Sequence, residues 1–399
     1  MRWWQLLAAT FSKSLIRQGI LAHALWLAAL YVLTDGLSAS PLMWLSHFHQ
    51  WDARWYASIA LDGHGFMPQT YVFPPAHGWL LGRIVNVVQF IAPSLPIDTT
   101  FSIVAAANGL VCLIAGNILF VRLFAARFKI APSRLWLATL VNPVAYFALS
   151  AYSDATFYAL TLATIHLALQ SSDRQDLWGL PAPRRWTRPL LALTLFVSPW
   201  VRLTGFSFAS LAILKRREAL ATLASLAAFL IYYDFQTDRP LFFLSVQSVF
   251  GMPEGGFIHG AHYSLRVFFD GLQKWPDVSA AATTGPLIGE FFLHWFNFGL
   301  LPLMIIAIST ASIIWLIKRR EFLFALILAS ILIISHNQAF WRSTVRYMML
   351  VYPIAQVAWM ASSYGSRPMG RVVSAVIAAS FLAMQVLYAR IFLSGGWAF

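Results

Sequence analysis

Charge is scarce in this chain. Only 11% of its 399 residues are Asp, Glu, Lys or Arg, against roughly 25% in a soluble domain. No long polar block interrupts the sequence, which leaves no room for a second, soluble domain. Cysteine is nearly absent too: the single Cys112 lies inside an apolar run. An intrachain disulfide is therefore excluded, and the residue reads as a small packing side chain. Internal repeats and low-complexity stretches are missing as well. Acidic residues number 15 against 28 basic ones, a net charge of +13. The basic residues come in short clusters between apolar segments rather than in one patch, which speaks against nucleic acid as a partner.

What the chain has is hydrocarbon. Hydrophobic residues make up 59% of it, and the mean hydropathy is +0.67. Apolar segments fall near 15–36, 101–121, 135–151, 154–170, 189–214, 219–235, 292–316, 322–337, 345–363 and 371–393. Several reach or approach the roughly 20 residues that cross a bilayer as a helix. The expected fold is an all-α polytopic membrane protein with about ten or more transmembrane segments, forming one domain over residues 1–399.

Basic clusters set the orientation. They lie at Arg122 to Arg134, Arg184 to Arg188, Lys215 to Arg217, Lys318 to Arg320, and Arg367 with Arg371. By the positive-inside rule these are cytoplasmic. Residues 37–100 and 236–291 then form two large outer loops. The N-terminal Arg2, Lys13 and Arg17 precede an apolar run without a clear small-residue cleavage site, so an uncleaved first helix is expected. The tryptophan-rich, lysine-poor composition points to a bacterial inner membrane with a periplasmic site. In a eukaryote the same topology would put that site in the ER lumen.

The first outer loop carries the most informative stretch, His49-Gln50-Trp51-Asp52-Ala53-Arg54-Trp55-Tyr56. Residues 51–61 have helical spacing with Asp52, Tyr56 and Ile59 on one face. Asp52 falls at the first turn, where the macrodipole favours an ionised carboxylate. Residues 79–91 read as an amphipathic helix lying in the interface. Segment 189–214 has basic residues at both ends, so it must double back. Two half-length helices meeting around Pro199 to Gly205 satisfy that, with Arg202 at the turn. Gly251 to His262 reads as a glycine-rich loop.

These residues suit sugar transfer from a lipid phosphate. A carboxylate can take the proton of an attacking hydroxyl, and arginine suits the departing phosphate through its fork geometry and permanent charge. Aromatics stack on sugar. Asp52 is the base candidate, with a helix cap or loop acid as the plain alternative. Arg202, Arg346 and Arg342 are candidate phosphate ligands, against an internal salt bridge for Arg202 and snorkelling for the other two. Trp51, Trp55 and Tyr56 are sugar contacts or interface anchors, and Arg54 a phosphate ligand or a headgroup partner. Asp154 and Tyr152, flanking Ser153, are candidate acceptor contacts; Asp154 assists catalysis or binds acceptor, with the start of a helix as its plain alternative. His64 and His77 are candidate sugar contacts, with a structural or solvated imidazole as the plain alternative for each. His47 and His49 cannot share a helix face, so a helical zinc pair is not supported, and the scheme calls for no metal or other cofactor.

Taken together, these motifs resemble the PIG-V family of glycosylphosphatidylinositol mannosyltransferases. The first is Trp51-Asp52-x-x-Trp55-Tyr56-x-x-Ile59-Ala60, followed by Gly63 or Gly65 and by Phe73-Pro74. Asn142-Pro143, Tyr152-Ser153-Asp154-x-x-Phe157, Arg202-Leu203-Thr204-Gly205, Gln247, and Arg346-Tyr347 with Pro353 follow in the family's order. The resemblance spans residues 49 to 360. It implies a GT-C-type membrane fold, a polyprenyl-phosphate-linked mannose donor, an inverting mechanism, and Asp52 as base. It also makes Gln247 a candidate substrate contact. The acceptor would be a glycolipid or envelope glycan. Asp154 stands where the family has Glu, Leu203-Thr204 where it has Ser-Asn, and His77 near where it has a second Pro. These departures fall where an acceptor would bind. Two other functions fit the composition: a transporter or flippase for a lipid-linked sugar, and a non-catalytic scaffold subunit.

Overall fold

The structure, a computed structural model, describes residues 13–34, 36–172, 180, 182–183, 185–213, 216–247, 256–281, 294–336, 346, 349–362 and 367–395. These are helical, with no strand among them. In chain order the helices are α1 (Lys13–Leu33), α2 (Pro41–Ser46), α3 (Asp52–Leu61), α4 (Pro75–Ile91), α5 (Ile97–Phe128), α6 (Pro132–Leu140), α7 (Asp154–Gln170) and α8 (Thr187–Val201). A 3-10 segment (Leu203–Ile213) follows, then α9 (Arg216–Thr237), α10 (Phe242–Gln247), α11 (Gly256–Ala281), α12 (Leu301–Lys318), α13 (Phe322–His336), α14 (Val351–Met360) and α15 (Pro368–Leu393).

Among the described residues five helices are long and apolar enough to cross a membrane: Lys13–Leu33, Ile97–Phe128, Arg217–Thr237, Phe298–Lys318 and Pro368–Leu393. Phe322–Ser335 is a shorter apolar helix. Length alone therefore does not reach the expected ten or more crossings. The shortfall has a physical reason. Segment 135–151 is two elements, α6 and a 3-10 turn at Ala145–Leu149, because Pro143 cannot continue the α6 hydrogen-bond ladder. Among the described residues of segment 345–363, the apolar helix is the ten-residue α14.

The break at Asn142-Pro143 is buried, so its freed carbonyls need donors. Gln385 of α15 supplies them, bonding Leu140 O at 3.2 Å and Asn142 O at 2.8 Å. The Asn142 amide in turn donates to Met349 O at 2.7 Å. That bond fixes the backbone three residues after Arg346.

α5 is the central post, packed on α1, α2, α4, α6 and α7 through a buried face running from Phe101 to Phe124. α4 lies close against α3: at Gly78 and Gly82 an added Cβ would collide with Ile59 and with the Ala60 carbonyl. The doubling-back expected near Pro199 is present. α8 ends at Val201, Arg202 is extended (φ −156°, ψ 135°), and the 3-10 segment returns beside α8. Gly205 lies so near Ser198 and Pro199 that no side chain fits between them.

One expectation fails in the second outer loop. Gly256 to His262 forms the first turns of α11 rather than part of a glycine loop, and Gly251 to Gly255 lie outside the described residues. α11 is anchored by its partner elements, with Trp295 donating to Phe268 O at 3.0 Å and stacking on the Phe268 ring. Tertiary packing overrides the low helix propensity of glycine there.

Candidate active site

The four charged residues singled out by their motifs converge at one place. Asp154 opens α7, Arg202 occupies the break after α8, Asp52 opens α3, and Arg346 precedes α14. Arg202 Nη1 lies 2.7 Å from Asp154 Oδ1. Arg346 is shared: its Nη2 donates to Asp52 Oδ2 at 2.9 Å, and its Nε lies 3.5 Å from Asp154 Oδ1. The side chains of Asp154 and Arg346 are 3% and 5% exposed, while that of Asp52 keeps 20%. Two carboxylates and two guanidiniums thus form a chain that is charge-balanced and closed at its buried end. Its open end is Asp52.

Asp154 is close to both arginines, yet neither of its oxygens has a well-directed hydrogen bond. A cavity of about 20 Å³ beside it is bounded by Asp154, Arg202 and Arg346, with Phe157, Tyr158 and Thr161 beyond. That is room for one water or one hydroxyl.

Tyr152 holds the two ends together. The Asp52 N–H donates to its hydroxyl at 3.2 Å, and the Arg346 guanidinium lies 4.3 Å over its ring. Burial, reinforced by the Asp52 charge, pushes the Tyr152 phenol well above its ordinary value. It stays protonated and acts as a fixed post. Just ahead of Asp52, Trp51 has φ +54°, a region where non-glycine residues are strained by about 1–3 kcal/mol. Strain of that kind collects at sites whose geometry is otherwise over-determined.

Tyr56 and His77 belong to the scaffold under the charges. Tyr56 is buried, its hydroxyl 2.9 Å from Ser153 Oγ, and burial pushes it up to about 12. The His77 Nε2–H donates to Ala151 O at 3.0 Å, and Nδ1 faces the Thr156 hydroxyl at 3.3 Å. His77 therefore pins the turn that carries Tyr152 and Asp154. Burial lowers it to about 4, with the Ala151 hydrogen bond opposing. Neither side chain is presented to a sugar.

The remaining candidates disperse. His64 lies in a separate aromatic cluster, where Nδ1 meets Tyr232 OH at 2.7 Å and Nε2 donates to Phe73 O at 3.2 Å. Trp55 stacks on Phe73, Trp51 is exposed, and Arg54 is exposed and donates to Gln50 Oε1 at 3.1 Å. Gln247 is the last residue of α10. Arg342 lies outside the described residues. Among the described residues, no three His, Cys, Asp or Glu side chains come together in a way that would hold a metal ion.

Sequence reasoning missed three parts. The sharing of Arg346 by two carboxylates is invisible in a linear motif, as is the Asn142 to Met349 bond. Gln385 carried a signal, a lone amide within the apolar segment 371–393, that passed unused. Compared with protein-family models, curated proteins and solved structures, the chain matches none.

Proposed function

We propose that this chain is a polytopic inverting glycosyltransferase, moving mannose from a polyprenyl-phosphate donor to a lipid-linked or cell-envelope acceptor on the outer membrane face. The observation that carries the proposal is the meeting of Asp52 with Arg346, Arg202 and Asp154 from four separate parts of the chain. A buried ionisable group is expensive, and four of them meeting beside a cavity support a functional reading of the site.

In the reaction the acceptor oxygen attacks the anomeric carbon from the face opposite the phosphate. A bond forms between that oxygen and the carbon, and the carbon–phosphate-oxygen bond breaks. The electron pair leaves on the phosphate, which Arg202 and Arg346 neutralise. Asp52 takes the hydroxyl proton. General-base assistance of this kind contributes a factor of roughly 10² to 10⁴. Asp154 aligns both arginines, and Tyr152 keeps Asp52 in register. Mannose as the sugar rests on the resemblance to the PIG-V motifs, and a different polyprenyl-phosphate sugar would use the same groups. The transport reading draws on the broken helix at Arg202, a feature of many transporters, but gives the Asp52 end of the cluster no task.

The test is transfer by purified protein in liposomes from polyprenyl-phosphate mannose to extracted membrane glycolipids. The product's anomeric configuration is read by NMR. A product of inverted configuration supports the reading. Lipid-linked sugar that crosses the bilayer without a new glycosidic bond would replace it with transport.

A further inference from the structure

The ion-pair chain is complete before any substrate arrives. Asp52 and Asp154 carry two negative charges, Arg202 and Arg346 two positive ones, and all four are held together. A donor phosphate approaching the arginines adds a third anion where, among the described residues, two cations stand. Buried charge must stay paired, so one carboxylate has to give up its share of a guanidinium.

Which one yields is set by how each is held. Asp154 is 3% exposed, lies 2.7 Å from Arg202, and is also within 3.5 Å of Arg346. Its route out is closed by packing. Asp52 is 20% exposed and meets Arg346 through a single oxygen at 2.9 Å. Its backbone is held by Tyr152, and the strained Trp51 precedes it. Asp52 can therefore turn toward solvent without leaving a buried charge alone.

We propose that the Arg346–Asp52 pair is a donor-operated switch. The phosphate of the lipid-linked donor takes over Arg346, and the Asp52 carboxylate is released to face the acceptor hydroxyl. The inference rests on the glycosyltransferase reading of this site. It has a consequence for order: the base is occupied until donor is bound, so donor binding precedes productive engagement of the acceptor. No covalent bond changes in the switch itself, only the partner of one guanidinium. Asp52 thus competes with the ligand for Arg346, and removing its charge strengthens lipid-phosphate binding while removing the base.

The experiment is equilibrium binding of radiolabelled polyprenyl phosphate to the purified full chain, for wild type and Asp52→Asn. Uncharged polyprenol serves as a control for the lipid tail. Asp62→Asn, an acid in the same loop whose side chain is bonded to Ser58, serves as a control for net charge. Displaced competition of about 1 kcal/mol or more corresponds to binding at least roughly fivefold tighter. Asp52→Asn is expected to show this for polyprenyl phosphate and not for polyprenol, and Asp52→Ala to repeat it if the amide itself pairs with Arg346. Asp62→Asn is expected to bind as wild type does. Equal or weaker binding in both Asp52 variants would overturn the switch. Transfer assays on the same preparations separate the two claims. Loss of transfer without tighter binding sinks the switch alone. Full transfer by Asp52→Asn sinks the base assignment, and the switch with it.

Discussion

Two buried ion pairs of this molecule lie in different regions and are built differently. Arg127 at the end of α5 meets Glu321 before α13, and each side chain has the other as its charged partner. It ties helix ends in the region of the basic clusters. The cluster of Asp52, Asp154, Arg202 and Arg346 is instead shared, incompletely hydrogen-bonded and adjacent to a cavity. A structural pair gains by being closed, since every unsatisfied buried charge is destabilising. A site that must exchange partners gains by being left open on one side. The contrast separates a pair that holds the fold from a cluster to which the proposed reaction assigns the chemistry, although both are arginine–carboxylate contacts.

The largest effect is expected from breaking the shared end. Arg346→Ala removes the cation common to Asp52 and Asp154, and the transfer rate should fall by about 10² to 10³, the usual result of deleting one group that stabilises developing charge. Initial rates with polyprenyl-phosphate mannose check this, and a fall of less than tenfold would contradict it. The closed pair should answer in the other currency. Glu321→Gln is expected to destabilise by roughly 2 kcal/mol, less than a fully buried pair because Arg127 is 25% exposed. Its rate per folded molecule should stay unchanged. A melting curve beside the rate measurement reads both quantities.

Acid sharpens the contrast further. His77 titrates at about 4 in the folded chain against an ordinary 6.5. Above pH 6.5 its contribution to stability is complete. Between pH 6.5 and 4 the unfolded chain takes up a proton that the folded one refuses, so stability falls as pH is lowered through that window, by roughly 3 kcal/mol at most for this residue. His49 and His64 are lowered to about 4 as well, again by burial. Melting temperature should therefore drop steeply from pH 7 to pH 4.5, and His77→Gln should flatten part of that slope. An unchanged slope would mean that His77 is not a buried neutral pin. The smallest effect is expected at Arg54→Ala. Its side chain is exposed and, among the described residues, bonded to Gln50, so stability should shift by no more than about 0.5 kcal/mol, and the rate should hold.

How much of this was legible in the chain depends on whether the information is local. The all-helical class follows from apolar runs, the start of α3 at Asp52 from helical spacing, and the reversal at Arg202 from basic residues at both ends of one apolar segment. The grouping of Asp52, Asp154, Arg202 and Arg346 came from motif order. The Asn142-Pro143 break was legible as a kink. Its depth was not, because Gln385 closes it from 243 residues away. Hydropathy likewise does not distinguish one continuous helix from two short buried elements, which is why the break within segment 135–151 shows only in the structure. The choice between sugar contact and structural role was left open for His77 and Tyr56, because polar aromatic groups look alike in sequence whether they face a ligand or pin a turn.

The most direct measurement compares initial transfer rates of wild type, Asp52→Asn and Glu321→Gln, with melting curves on the same samples. The account expects Asp52→Asn to lose roughly 10² to 10⁴ in rate with a melting temperature near that of wild type. It expects Glu321→Gln to melt earlier at full rate per folded molecule. A folded Asp52→Asn that transfers sugar as fast as wild type would contradict it.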